Sequence, residues 1–437
     1  MARSVWAVMP IAVLLLWACG WGAAPGTGPT VIPTATQPPT ASPSPISTLR
    51  EASPSPSGPA LAIINGTLID GTGTDPVEDA YVLIRDGRIE AAGCCASRIR
   101  IPSDYEIVDA GGGTIMPGLI DGHVHVTRTL IRLDPVTGAS QPDDEALVPF
   151  LHDGFTTLRD VGTATVLLSA IKFRTDGLTE RGSAPRVVWA GPLVTAPGGY
   201  PFSVPAYAAG GEAVASPEDG AALVDRLDRD GATLVKLGLD QGYYEDLGWP
   251  LLDLETIQAI TGRAHELGML VTAHVTSIDE VRLALDGGVD NLAHSPLEPI
   301  PEDVMREMLD RGMGLVTTAT VWGFRQEVAA RNAARYANAG GIVSIGTDYG
   351  CCGQAPGIDP YLHEMRFLAA AGMTPMQLLL AATRNGALVS NLDDVGTIEP
   401  GKRADVIVVS GDPLQDLDAL ANVQTVILGG RVVYERG

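Results

Sequence analysis

The sequence predicts an α/β chain, a (β/α)8 TIM barrel with a small β-sandwich domain formed by its N- and C-terminal segments. Between 118 and 392, short β-branched runs alternate eight times with amphipathic stretches, the grammar of parallel strands joined by crossover helices. On either side, at 61–117 and 393–437, lie β-rich hairpin sequences that are each too small to stand alone. A chain of 437 residues has the length for a barrel and a second domain without disulfide staples.

The first segment, 1–19, carries one basic residue, Arg3, and an apolar run interrupted by Pro10 that is short for a membrane span. It reads as an export signal. Its end, Leu16-Trp17-Ala18-Cys19-Gly20, resembles a bacterial lipoprotein box, although Trp17 is bulkier than the residue usual there. That resemblance implies lipidation of Cys19, membrane attachment through it and an extracytoplasmic location, with plain secretion if the box is not used. Residues 20–60, rich in Pro, Ser, Thr and Gly, bury no core and read as a disordered tether.

Next comes a β segment, with Asp86-Gly87 as a hairpin turn; its counterpart at the far end carries Gly429-Gly430. The eight barrel strands are expected near 118–126, 155–160, 186–190, 233–238, 269–274, 290–294, 314–318 and 342–348, with helices at 254–267, 279–285, 301–311 and 327–339. With 52 acidic against 29 basic residues, the chain carries a formal charge of −23 and no basic run, which excludes nucleic acid as a partner. The sequence is compatible with an oligomer. Besides Cys19, the cysteines form the adjacent pairs Cys94-Cys95 and Cys351-Cys352, neither spaced as a zinc knuckle. Bridges between the pairs and free thiols both stay open.

Chemistry gathers at strand ends. In Asp121-Gly122-His123-Val124-His125, histidines two apart on one strand share a face and can grip one metal. Lys236, His274, His294 and Asp348 fall at the carboxyl ends of four other predicted strands, the face where barrel active sites form. Parity agrees: an inward His274 shares its face with Thr272 and leaves Val271, Ala273 and Val275 outward. A single inward histidine is most often a hydrogen-bonded core residue, but four with an Asp and a Lys on five strands make a metal site the better reading. His152, His265 and His363 lie on predicted helices or a helix entry and read as structural or supporting residues.

The stretch from Gly112 through Met116-Pro117-Gly118 to His125 resembles the signature of the amidohydrolase superfamily, and Gly396-Thr397-Ile398-Glu399-Pro400-Gly401 near the close is similar to the same family. Thr156-Thr157-Leu158-Arg159-Asp160 and the lysine on strand four resemble its imidazolonepropionase-like and zinc prolidase-like branch. The resemblance implies that His123, His125 and Asp348 bind one divalent ion, that His274 and His294 bind a second, and that Lys236, as a carbamate, bridges them. Independently, an ammonium beside two divalent ions would be repelled, so an inward lysine there needs such an explanation. Imidazole and carboxylate ligands suit zinc, with manganese, iron or cobalt as other occupants. The reaction implied is hydrolysis of a carbon–nitrogen bond in a small-molecule amide or dipeptide-like substrate by a metal-bridging hydroxide, with Asp348 as proton shuttle.

Departures from the branch concern the loops. Gly198-Gly199-Tyr200 stands where prolidase-like relatives often have Gly-Gly-His, and the loop after Lys236 is its own. Tyr200, Tyr243, Tyr244 and Arg325 are the candidate substrate-binding walls. Rival readings are a mononuclear imidazolone or cyclic amide hydrolase, a deaminase, and a metal-binding lipoprotein without turnover. Ser277 near the place of the deaminases' usual Glu counts against deamination. A phosphotriester or a lactone would be open to the same hydroxide.

Overall fold

The computed structural model describes residues 60–133, 140–163, 165–205, 207–243, 247–351 and 353–437. The expectations for the leader, Cys19 and the tether, and for Tyr244 and Cys352, lie outside the described residues.

The two ends of the chain meet in one eight-stranded sheet. Its strands run in the order Arg431–Glu435, Val423–Leu428, Val406–Val409, Thr114–Pro117, Ala60–Leu68, Val77–Arg85 and Arg88–Gly93, with Glu106–Asp109 also beside Ala60–Leu68. The join is the antiparallel pair Val406–Val409 and Thr114–Pro117, where Ile407 stands opposite Met116. Asp86 and Gly87 both have positive φ, 51° and 78°, as a two-residue hairpin turn requires. The two hairpin tips also touch: a Cβ on Gly430 would lie 2.5 Å from the Gly87 Cα, so only glycine fits there. Ile63, Ile84, Ile115, Val406 and Ile427 bury one face of this sheet.

Eight parallel strands follow where the alternation places them: β1 Leu119–Val124, β2 Phe155–Asp160, β3 Arg186–Trp189, β4 Leu234–Gly238, β5 Leu270–His274, β6 Asn291–Leu292, β7 Gly314–Thr317 and β8 Ile342–Ile345. They form two ladders. One holds β1, β2 and β3; the other runs from β4 to β8 and is extended at the β4 edge by two short strands, Leu193–Thr195 and Gly211–Ala213. The sheets are not closed into one, because Leu193–Thr195 takes the edge of β4, with Leu193 paired to Lys236. Hydrogen bonds cross both gaps: Thr233 N donates to Trp189 O at 3.0 Å, and His125 N donates to Tyr349 O at 2.7 Å.

Amphipathic helices Leu254–Glu266, Ile278–Asp286, Glu302–Asp310 and Gln326–Asn338 connect the later strands. Two of them start on side-chain caps: Asp253 accepts from Thr256 N, and Ser277 forms a capping box with Glu280. The buried Glu280 carboxylate also accepts from Gln241 N at 2.8 Å and Thr276 N at 2.6 Å, tying the loop after β4 to the loop after β5. Val271, Ala273 and Val275 pack into the main apolar core, so Thr272 and His274 are left for the opposite face, as parity requires.

Candidate metal centre

Three side chains converge where β1 meets the segment after β8. His123 Nδ1 lies 2.8 Å from the Ala293 carbonyl, a partner that puts the proton on Nδ1 and leaves Nε2 as a lone-pair donor. That Nε2 is buried and has no hydrogen-bond partner, and the same is true of Asp348 Oδ1. Asp348 Oδ1 stands 3.4 Å from His123 Nε2 and 3.2 Å from His125 Nε2. Metal–ligand bonds of ~2.1 Å at tetrahedral angles put neighbouring ligand atoms about 3.4 Å apart, so the spacing fits one divalent ion. Buried atoms left without partners are rare unless something else satisfies them.

The backbone is bent to make this meeting. Asp348 has φ 56°, a left-handed conformation that Asp tolerates better than most residues, and its N–H donates to the His123 carbonyl at 2.9 Å. Asp121 supplies the clamp. Its carboxylate accepts from His123 N at 3.1 Å, Thr347 N at 3.1 Å and Thr347 Oγ1 at 2.7 Å, joining β1 to the segment after β8. Burial pushes the Asp121 carboxyl up to about 7 against the pull of these donors. Asp121→Asn turns one acceptor into an N–H donor facing other donors. We expect a loss of ~2–3 kcal/mol in urea unfolding, the cost of buried unsatisfied groups. An unchanged midpoint would mean that the clamp is dispensable.

Lys236 on β4, His274 on β5 and His294 just after β6 complete the cluster. Ring centroids of His294 lie 4.6 Å from His123 and 4.5 Å from His274. His294 Nδ1 pairs with Thr318 Oγ1 at 2.7 Å, and His274 Nε2 pairs with Asp240 Oδ2 at 2.8 Å. Burial holds His123 and His294 well below the ordinary imidazole value, which keeps them neutral, the form that ligates metal. Burial also pushes the Lys236 ammonium down to about 7, with Asp348 opposing and Arg159 reinforcing the shift. Asp348 itself is pushed up by burial, but His123, His125 and Lys236 outweigh this and hold it well below the usual carboxylate range.

Residues 114–433 match the sequence profile of the amidohydrolase family. The chain belongs to that family. Among its relatives, the imidazolonepropionase of Deinococcus deserti is 26% identical over 380 residues, covering 78% of this chain and 88% of that protein. The ochratoxinase of Aspergillus niger is 25% identical over 413 residues, covering 81% and 82%. Among solved structures, an Xaa-Pro dipeptidase with bound methionine superposes with a TM-score of 0.70 at 23% identity, over 86% of this chain and 100% of that one.

In this amidohydrolase the six residues expected to bind metal all line one cavity of about 350 Å³. Two of the expected substrate walls line it as well. Tyr200 stacks on His274 at 4.4 Å between centroids, and Tyr243 meets Tyr200 edge-on at 5.8 Å. Arg325 is not among the residues lining this cavity; it sits in the turn Gly323–Arg325 with its guanidinium 5.7 Å from the Phe324 ring. His152 stacks on Tyr434 and His265 pairs with Asp290, neither lining the cavity. Among the described cysteines, Cys94 and Cys95 are free thiols, and Cys351 lines the cavity.

Sequence reasoning missed three groups here. Asp240, which orients His274, shares parity with Lys236 and Gly238, so its inward direction was available from the strand alone. Trp322, 5.3 Å from His294, belongs to an irregular turn that carries no periodic signal. Arg159 was noted only as part of a motif. It is fully buried, donating to the Gly122 carbonyl at 3.2 Å and Asn291 Oδ1 at 2.7 Å.

Proposed function

We propose that this amidohydrolase is a binuclear metal-dependent hydrolase of carbon–nitrogen bonds in amide or dipeptide-like substrates. The observation that carries this is the convergence of four histidines, an aspartate and a lysine on one cavity, with His123 Nε2 and Asp348 Oδ1 buried and unpartnered. His123, His125 and Asp348 would hold one ion, and His274 and His294 the other. Lys236 would lie between them as a carbamate: its neutral amine nitrogen bonds to the carbon of carbon dioxide and releases a proton, turning a neutral group into an anion. When bound, divalent ions such as zinc polarise a scissile carbonyl and make hydroxide available near neutral pH. Asp348, beside the attacking water, would take its proton and return it to the leaving nitrogen. Asp240 and Thr318 hold the rings of His274 and His294 in place while this happens.

One observation favours a mononuclear alternative: among the described residues, only His123, His125 and Asp348 present ligand atoms that all lie within 4.8 Å of one another. The same proposal reads the two parallel ladders as the parts of one (β/α)8 barrel, and the terminal sheet as a β-sandwich folded on itself. It also places the enzyme outside the cytoplasm, anchored through lipidated Cys19. Membrane fractionation of Cys19→Ser tests the anchor, with the variant expected in the soluble fraction and retention on the membrane counting against it.

The test of the reaction is hydrolysis of a panel of linear amides, cyclic amides and dipeptides by the zinc-loaded chain. Turnover is expected on at least one class, lost on chelation and restored by added metal. Failure across the whole panel with metal bound would overturn the hydrolase reading.

A further inference from the structure

We infer that the site takes a carbon–nitrogen substrate bearing an uncharged apolar group, seated in an annex beside the metal cavity, in preference to a free dipeptide. This rests on the hydrolase reading above. The annex is a second cavity of about 200 Å³ that shares His125, Leu193, Tyr200, Tyr207 and Cys351 with the first. Beyond that common wall it is lined by Val161, Pro201, Ala209 and small neighbours. Two glycines leave His125 room between the cavities. A Cβ on Gly162 would lie 2.5 Å from His125 Nδ1, and one on Gly350, at φ +88°, would lie 2.3 Å from the His125 carbonyl.

Charge decides what fits. Among the described residues lining either cavity, the one cationic side chain is Lys236, already committed to the metals, and the one carboxylate is Asp348. With the ions engaged by the scissile group, the carboxylate of a free dipeptide would have to leave water with no cationic side chain to receive it, which is unfavourable beside the apolar annex wall. An alkyl or aryl group gains from the same surroundings: Leu193, Val161 and Pro201 on the annex side, Tyr243 and Trp322 on the side of His274 and His294.

The experiment uses the full chain loaded with zinc. Its probes are N-acyl anilides with acyl groups from acetyl to hexanoyl, N-acetyl alkylamides with lengthening amine chains, and a free dipeptide beside its C-terminal amide. Along at least one series kcat/KM is expected to rise by roughly tenfold or more per well-seated methylene, and the dipeptide amide should outrun the free dipeptide by about tenfold. Ala209 is exposed at the annex wall, so Ala209→Trp can fill the space without disturbing the core. That variant should flatten the chain-length dependence. Flat dependence along both series, or preference for the free dipeptide, overturns the inference. Binding separates the two claims, because Trp322 lines the cavity and its fluorescence reports occupancy. Saturable binding of the longest member of either series, lost in Ala209→Trp, with no probe turned over, would keep the annex and overturn the hydrolase reading. Neither binding nor turnover of the longest member of either series overturns the inference.

Discussion

Lys236→Met is expected to halve the bound metal and to reduce turnover on the order of 10³-fold, since a lost ion forfeits several kcal/mol of charge stabilisation. Methionine keeps most of the lysine's volume in a position that is only 1% exposed, so the fold should survive the change. Removing a buried amine with no carboxylate bonded to it also costs little, and thermal unfolding without added metal should move by no more than a few degrees. The readouts are elemental analysis of metal per chain and kcat/KM on the best amide of the panel. A variant that keeps full metal content and activity would show Lys236 to be a core residue and would leave the second ion without its bridge.

Asp348→Asn is the companion experiment. Asparagine tolerates the left-handed backbone at this position as well as aspartate does, so the turn that brings the segment after β8 to β1 should persist. On the proposed mechanism the variant loses both the anionic ligand and the proton acceptor. Loss of a general base alone is worth ~10²–10⁴ in rate, and the expected fall in kcat lies at the upper end because ligation by His123 and His125 weakens as well. Asp348→Ala should be worse for stability, since alanine gains nothing at positive φ. If Asp348→Asn retained wild-type kcat at saturating metal, proton transfer would have to run through another group, and the role given to Asp348 would be wrong.

Much of this could be read in the sequence because strand parity and strand ends are local properties. His123 and His125 share a face by a two-residue period, and the inward position of His274 follows from the outward Val271, Ala273 and Val275. The eight strands were legible because β-branched runs alternate with 3.6-period helices of ordinary length. What could not be read depended on long-range pairing. Leu193–Thr195 and Gly211–Ala213 are three residues each and become strands only by pairing, the first with the edge of β4 and the second with the first. The walls divide. Tyr200 and Tyr243 stand out in loops that depart from the family branch, and Tyr200 is fixed by stacking on His274, but no periodicity signals where Trp322 or Tyr207 will stand.

The central claim is that one cavity holds two metal ions bridged through Lys236. Its most direct test is elemental analysis of the full-length protein purified with zinc and bicarbonate. The account predicts about two equivalents per chain, with Lys236→Met retaining about one. One equivalent in both proteins, lost when His123 or Asp348 is replaced and indifferent to Lys236, would contradict it and establish the mononuclear site of His123, His125 and Asp348.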